Sequence, residues 1–228
     1  VDFFEAVKTR RSVREYTKDP VPAEVIEKAL DAALLAPNSS NMQTWEFWWV
    51  RSPEKKAELV KICLSQSAAR TAQELVVAVA TPGRWQQNAA TMLKSVTEAG
   101  SPQGVRDYYG KLIPFIYGFQ ILAPLKFLIF FIRGLFKPTP RSPWSWFDRR
   151  EIAVKSCALA CENFMLAISA QGYDTCPMEG VDEVRLKKLL DLPCSARLVM
   201  VMSVGKRAPK GIWGQQIRFP RDWAVKYL

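Results

Sequence analysis

Apolar positions along the 228-residue chain follow two periods, and most elements can be placed from where each period begins and stops. An opening apolar run, Phe3, Phe4, Ala6 and Val7, ends at Arg10-Arg11-Ser12-Val13-Arg14, where an extended segment is expected. Val25, Ile26, Ala29, Leu30, Ala33 and Leu34 recur at helical spacing, with prolines 20 and 22 before them and Pro37 after, which predicts a helix from Val21 to Ala36. Trp45–Val50 and Leu75–Ala80 predict strands, the second apolar at every position, and Pro53–Leu64 predicts an amphipathic helix between them. The polar stretch Gly83–Lys111 is helical in part and ends near Tyr108 and Tyr109. Glu151–Gln171 predicts a long helix apolar almost all round, stopped by Gly172; such a helix suits an interface between subunits as well as a core. A short amphipathic helix, Val181–Leu190, and a strand, Leu198–Val204, follow. Helices and strands mix without strict βαβ alternation, so the fold class expected is α+β, in one domain spanning 1–228.

One segment departs from this pattern. Leu112–Phe136 is the most apolar stretch of the chain and sits within an expected insertion, or lid, at about 84–148. A bilayer span is opposed by Pro114, Pro124, Lys126 and Arg133, since a mid-span Lys or Arg costs about 2.5 to 3.5 kcal/mol. At helical pitch Lys126, Arg133 and Lys137 share one narrow stripe, with Phe127, Leu128, Ile129, Phe131, Ile132 and Leu135 around the rest. Arg141, Trp144, Trp146, Arg149 and Arg150 continue the mixture of aromatic and basic groups. Two expectations follow: a helix lying on an anionic membrane surface through residues 112–150, or a soluble lid shaping an apolar substrate pocket with Tyr108, Phe115 and Phe119.

Composition then narrows the chemistry. A formal charge of +10 favours anionic company: a phosphorylated cofactor, an acidic membrane or nucleic acid. Nucleic acid is disfavoured, because no helix-turn-helix, RNP-type motif or zinc module accompanies the charge. With no histidine, Ser-His-Asp and Cys-His nucleophiles, HExxH zinc and imidazole acid–base catalysis are all excluded. The five cysteines form no CxxC pair, so neither a redox dithiol nor a metal site is expected; an odd count without a visible signal sequence fits a reducing cytoplasm. No GxGxxG follows a strand, and Gly104 with Gly110-Lys111 misses the P-loop spacing.

Two stretches carry candidate chemistry. In an extended chain Arg10, Ser12 and Arg14 project to one side, bringing two guanidinium forks and a hydroxyl to one volume, which suits a phosphate. The loop Asn38-Ser39-Ser40-Asn41-Met42-Gln43-Thr44 concentrates amide and hydroxyl groups suited to the edge of a flat heteroaromatic ligand. A basic, non-enzymatic protein of a membrane or nucleic-acid surface is the rival from another class, in which that loop is an ordinary turn.

Four pieces in order resemble the nitroreductase family of FMN-dependent oxidoreductases. They are Arg10-Arg11-Ser12-Val13-Arg14, Pro37-Asn38-Ser39-Ser40-Asn41-Met42-Gln43-Thr44-Trp45, Pro177-Met178-Glu179-Gly180 and Gln216-Ile217-Arg218. The resemblance implies a mixed, mainly antiparallel sheet flanked by helices in an intertwined homodimer, with FMN in each interface cleft and NAD(P)H as reductant. It implies that Arg10, Arg11, Ser12 and Arg14 hold the phosphate and pyrimidine edge, with Arg218 completing the clamp beside Gln216, where the family often has a cation. Pro37, Asn38, Ser39, Asn41 and Gln43 would reach over from the partner subunit, and Pro177, Met178, Glu179 and Gly180 would face the flavin, whose N5 carries the chemistry without a dedicated catalytic residue. An electron-poor, apolar acceptor, nitroaromatic or quinone, is expected. A reductive dehalogenase or flavin-consuming enzyme is the alternative within the family, weakened because Cys176, a poor hydrogen-bond donor, stands where the dehalogenase branch tends to place a hydroxyl. Peripheral attachment to the inner membrane face accompanies the cytoplasmic expectation.

Overall fold

The computed structural model describes residues 1–118, 120–143 and 145–228, with only the backbone of Gln120. Helix α1 (Phe3–Thr9) and α2 (Ala23–Leu34) precede strand β1 (Trp45–Trp49). Then come α3 (Pro53–Ile62), α4 (Ser67–Thr71), β2 (Glu74–Ala80), α5 (Trp85–Glu98) and α6 (Gln103–Asp107). A π-helical turn, Tyr108–Leu112, leads into α7 (Ile113–Tyr117) and α8 (Ala123–Phe136). The rest is α9 (Trp146–Ala170), β3 (Asp174–Met178), α10 (Glu183–Leu189), β4 (Arg197–Gly205) and α11 (Arg221–Ala224).

The four strands form one sheet in the order β1-β2-β4-β3, every pair antiparallel. An isolated parallel bridge joins Ser12 to Thr175 at its β3 edge, so the whole is the expected α+β arrangement. Strand β2 explains its own unbroken apolar run, because both of its faces are buried. Val76, Ala78 and Ala80 pack against α2 and α9, whereas Leu75, Val77 and Val79 face α3 and α10. On the first side Phe164, Ile168, Cys157 and Cys161 are fully buried, so the two cysteines four residues apart are core groups. Helix α9 has the length and apolarity to cross a bilayer, yet here this face of it is the centre of the core.

Four expectations need correction. Helix α9 begins at Trp146 rather than Glu151, because Ser145 and Asp148 close a capping box: the Asp148 amide donates to Ser145 Oγ at 3.2 Å and the Ser145 amide to Asp148 Oδ2 at 2.8 Å. Arg149 therefore lies on the first turn, buried, with its guanidinium 5.7 Å from the centre of the Trp85 ring, and it is no surface group. Lys126 likewise leaves the exposed cationic stripe. It is 3% exposed and its Nζ donates to the carbonyl oxygens of Phe115 and Gly118, both at 2.6 Å, clamping α8 onto the end of α7. Burial lowers the Lys126 pKa, and the nearby Arg149 charge adds to the effect. The stretch 112–136 is thus two helices rather than one, with a break at Gly118.

Candidate functional site

The extended segment after α1 runs beside the β3 edge and is fastened to the far end of the chain. The Val13 amide donates to the Thr175 carbonyl at 3.0 Å and the Arg14 amide to the Gly211 carbonyl at 2.7 Å. Gly211 is required there: a Cβ on it would stand 2.5 Å from the Glu15 carbonyl oxygen, inside any real contact. Between these strapped ends opens a concavity of about 240 Å³ lined by Arg10, Arg11, Ser12, Arg14, Gln216 and Arg218, with Ile212, Trp213, Gln215 and Ile217 completing its wall. No acidic residue lines it.

Each arginine is held differently. Arg14 lies over the Trp213 ring, 4.6 Å from its centre, and Arg11 donates from Nη2 to the Gly214 carbonyl at 3.0 Å. Arg10 Nε sits 3.4 Å from Glu162 on α9. Val13, between Ser12 and Arg14, is fully buried against Leu75 and Val77, which turns its neighbours outward into the concavity. Tyr16 fixes the register farther along: its hydroxyl is 2.9 Å from Ser203 Oγ, and its ring stacks over Gly205 where a Cβ would collide. Burial drives the Tyr16 phenol far above its ordinary range, only partly opposed by the Ser203 hydrogen bond, so it stays neutral.

The loop after α2 lies elsewhere on the subunit and does not line this concavity. Pro37, Ser39, Asn41 and Gln43 are exposed, and Asn38 organises the loop by accepting from the Gln43 amide at 2.8 Å. Ser40, Asn41 and Gln43 adopt left-handed backbone with φ of 56°, 49° and 45°. Asn88 on α5 holds the loop's far side, donating to the Met42 carbonyl at 2.7 Å. Tyr108 and Tyr109 of the π-helical turn grip its middle: the Tyr108 hydroxyl is 2.6 Å from Ser40 Oγ, and the Tyr109 hydroxyl donates to the Ser40 carbonyl at 3.0 Å.

Pro177 and Met178 close β3 opposite Met202 and Val201, and Glu179 and Gly180 form the exposed turn after it. Gln66 Nε2 takes the Gly180 carbonyl at 2.8 Å and the Val181 amide takes that of Glu179 at 2.9 Å, so the turn is fixed from behind. Cys176 is buried, and burial raises its pKa despite the Arg14 charge, which keeps it a protonated thiol. Tyr108 and Phe115 share a shallow, open apolar depression with Gly104, Asp107, Lys111 and Leu112; Phe119 lies outside the described residues. Among the described residues no group of metal-ligating side chains occurs.

The structure therefore brings Arg10, Arg11, Ser12, Arg14, Gln216 and Arg218 together and leaves Pro37–Gln43 on another surface of the same subunit. Sequence reasoning missed Trp213, Gly211, Gln66 and Asn88. Trp213 alone carried a signal, an aromatic set between Gly211 and Gly214 in a polar tail.

The subunit thus carries a strapped basic concavity beside its antiparallel sheet and, on another surface, an exposed polar loop. The nitroreductase family model matches residues 7–106 and 125–206, so the chain belongs to the nitroreductase family and is an oxidoreductase. Protein DrgA of Synechocystis is 29% identical over 208 residues, covering 91% of this chain and 85% of that protein. An NADH dehydrogenase of Thermus thermophilus is 26% identical, covering 90% of this chain and 87% of its own. A nitroreductase-like structure from Exiguobacterium sibiricum, solved with FMN, superposes with a TM-score of 0.75 at 25% identity, covering 100% of this chain and 98% of that one. Family membership decides against the non-enzymatic basic protein.

Proposed function

We propose that the protein is a homodimeric FMN-dependent oxidoreductase that takes a hydride from NAD(P)H and delivers it to an electron-poor, apolar acceptor of the nitroaromatic or quinone type. The carrying observation is the convergence of Arg10, Arg11, Ser12 and Arg14 with Arg218 around one acid-free concavity. Guanidinium forks and a hydroxyl form a donor set that fits a phosphate monoester, and Gln216 adds an amide where a further cation is dispensable. When bound, FMN supplies the redox chemistry, accepting and releasing the hydride at N5.

The chain's own groups bind and orient. Arg10, Arg11 and Arg14 place fixed positive charge in the cleft, which favours an anionic ligand and any negative charge that reduction adds to it. The turn at Glu179 and Gly180 offers backbone groups at the sheet end, held still by Gln66. Asn38, Ser39, Asn41 and Gln43, reaching from the partner, would meet the heteroaromatic edges, and Pro37 would set the entry to that loop. Tyr108 and Phe115 line the shallow apolar depression suited to one face of a flat acceptor. No side chain is assigned as a dedicated acid or base; the chain has no histidine, and Cys176 stays protonated.

Dimerisation has its own support. Phe4 is 80% exposed on α1, and the tail exposes Ile217, Phe219, Trp223 and Tyr227, apolar area that a second copy would cover. The test is an absorbance spectrum of the purified protein, before and after reconstitution with FMN. A flavin spectrum that bleaches anaerobically on adding NADH or NADPH and returns with a soluble quinone is expected; a colourless protein that takes up no FMN would refute the assignment.

A further inference from the structure

We propose that α8 docks this protein onto an anionic phospholipid bilayer, lying in the plane of the interface with its outer face among the acyl chains and Arg133, Lys137 and Arg141 at the headgroups. The proposal goes beyond the flavin chemistry and does not rest on it.

The faces of α8 are sorted in an unusual way. From Lys126, at about 100° per residue, Phe130, Arg133 and Lys137 fall within about 40° of one line, which begins against the body of the protein at Lys126 and Phe130. Lys126 anchors the line through the Phe115 and Gly118 carbonyls. Toward the end of the helix Arg133 and Lys137 emerge into solvent, and Arg141 folds back to donate to the Gly134 carbonyl at 3.2 Å. The opposite face is wholly apolar and uncovered: Leu128, Ile132 and Leu135 are 52%, 50% and 65% exposed. A helix whose polar line is rooted on the protein at Lys126 and reaches solvent at Arg133 and Lys137, and whose apolar face looks away, has the orientation of an interfacial helix, with the body on the water side and basic heads at the phosphate level.

Charge selects the occupant. Between Asp107 and Asp148 there is no acidic residue, while Lys111, Lys126, Arg133, Lys137 and Arg141 all lie in that interval. A second copy packed here about a two-fold axis would set Arg133, Lys137 and Arg141 against their own counterparts, whereas an anionic leaflet complements them. Length selects the mode: the 14 residues of α8 reach only about 21 Å, short of the roughly 30 Å hydrocarbon core, so the helix lies on the bilayer and does not cross it.

The experiment is co-sedimentation of the full chain with phosphatidylglycerol and with phosphatidylcholine vesicles. Binding to phosphatidylglycerol at least about tenfold tighter, and weakened by salt, is expected. Phe131→Ser/Ile132→Ser and Arg133→Gln/Lys137→Gln should each lower that binding about tenfold, with flavin content and oligomeric mass unchanged. Equal pull-down by both lipids, or variants that bind as the parent does, would overturn the proposal. So would dissociation of the oligomer by Phe131→Ser/Ile132→Ser in sedimentation velocity, which would assign the face to a second copy. Because vesicle binding needs no flavin, its failure is distinguishable from failure of the redox assignment.

Discussion

The arginine concavity and α8 are built from the same kinds of side chain, basic and aromatic, and do opposite things with them. In the concavity two distant stretches are strapped together by backbone hydrogen bonds, Val13 to Thr175 and Arg14 to Gly211, so the guanidinium groups aim into a shared volume with Trp213 under one of them. On α8 the backbone is satisfied within the helix, Lys126 turns toward the body while Arg133 and Lys137 reach solvent, and most of the aromatic and aliphatic groups point outward. What separates a grip from a surface is where the backbone finds its partners, since that decides which way the side chains face.

This contrast can be broken at several points. The largest effect is expected from Arg10→Ala/Arg14→Ala: two charge-assisted contacts worth about 1.5–3 kcal/mol each should cost FMN affinity at least about 100-fold by fluorescence titration. Arg133→Ala/Lys137→Ala should leave that affinity unchanged, and a comparable loss there would erase the distinction. Phe164→Ala, in the fully buried core, should lower unfolding free energy by about 3–5 kcal/mol in denaturant titration, whereas Phe131→Ala on α8 should change it by no more than about 0.5 kcal/mol. Gly211→Ala sharpens the strapping argument: its methyl group must push the tail off the Glu15 carbonyl, at about 1–3 kcal/mol, with FMN affinity falling about tenfold. A smaller loss than that of Phe164→Ala is expected from Lys126→Met, which leaves two carbonyls without their donor and should cost about 1–2 kcal/mol. That loss should appear as faster amide exchange across α8 with FMN affinity intact.

Legibility in the sequence followed the range of the interaction. Strand β2 was readable almost to its ends, because burial on both faces leaves a continuous apolar run; prolines flank α2, and Pro53 opens α3. The start of α9 was not, since its signal is a capping box at Ser145 and Asp148 amid tryptophan, arginine and proline that read as surface. The stripe of Lys126, Arg133 and Lys137 was correctly grouped by helical pitch, yet pitch states which residues share a face and not where the face points; packing on α7 turned Lys126 inward. Arg10 to Arg14 were legible as an extended basic cluster. Their partners at Gly211 and Trp213 lie about 200 residues away in a tail without periodicity, where only the fold makes the connection. The same holds for Tyr108 and Ser40, joined across 68 positions by one 2.6 Å contact.

The central claim is that each flavin site takes its arginines from one subunit and its polar loop from the other, and subunit complementation tests it most directly. Arg10→Ala/Arg14→Ala chains and Asn38→Ala/Gln43→Ala chains, each poor in FMN alone, are unfolded together, refolded as a mixture and assayed for bound flavin. Mixed dimers contain one site with both elements intact, so flavin binding should reappear in the mixture, approaching one FMN per heterodimer. A mixture that binds no more flavin than its two components would contradict the account, because both elements would then have to act within a single chain.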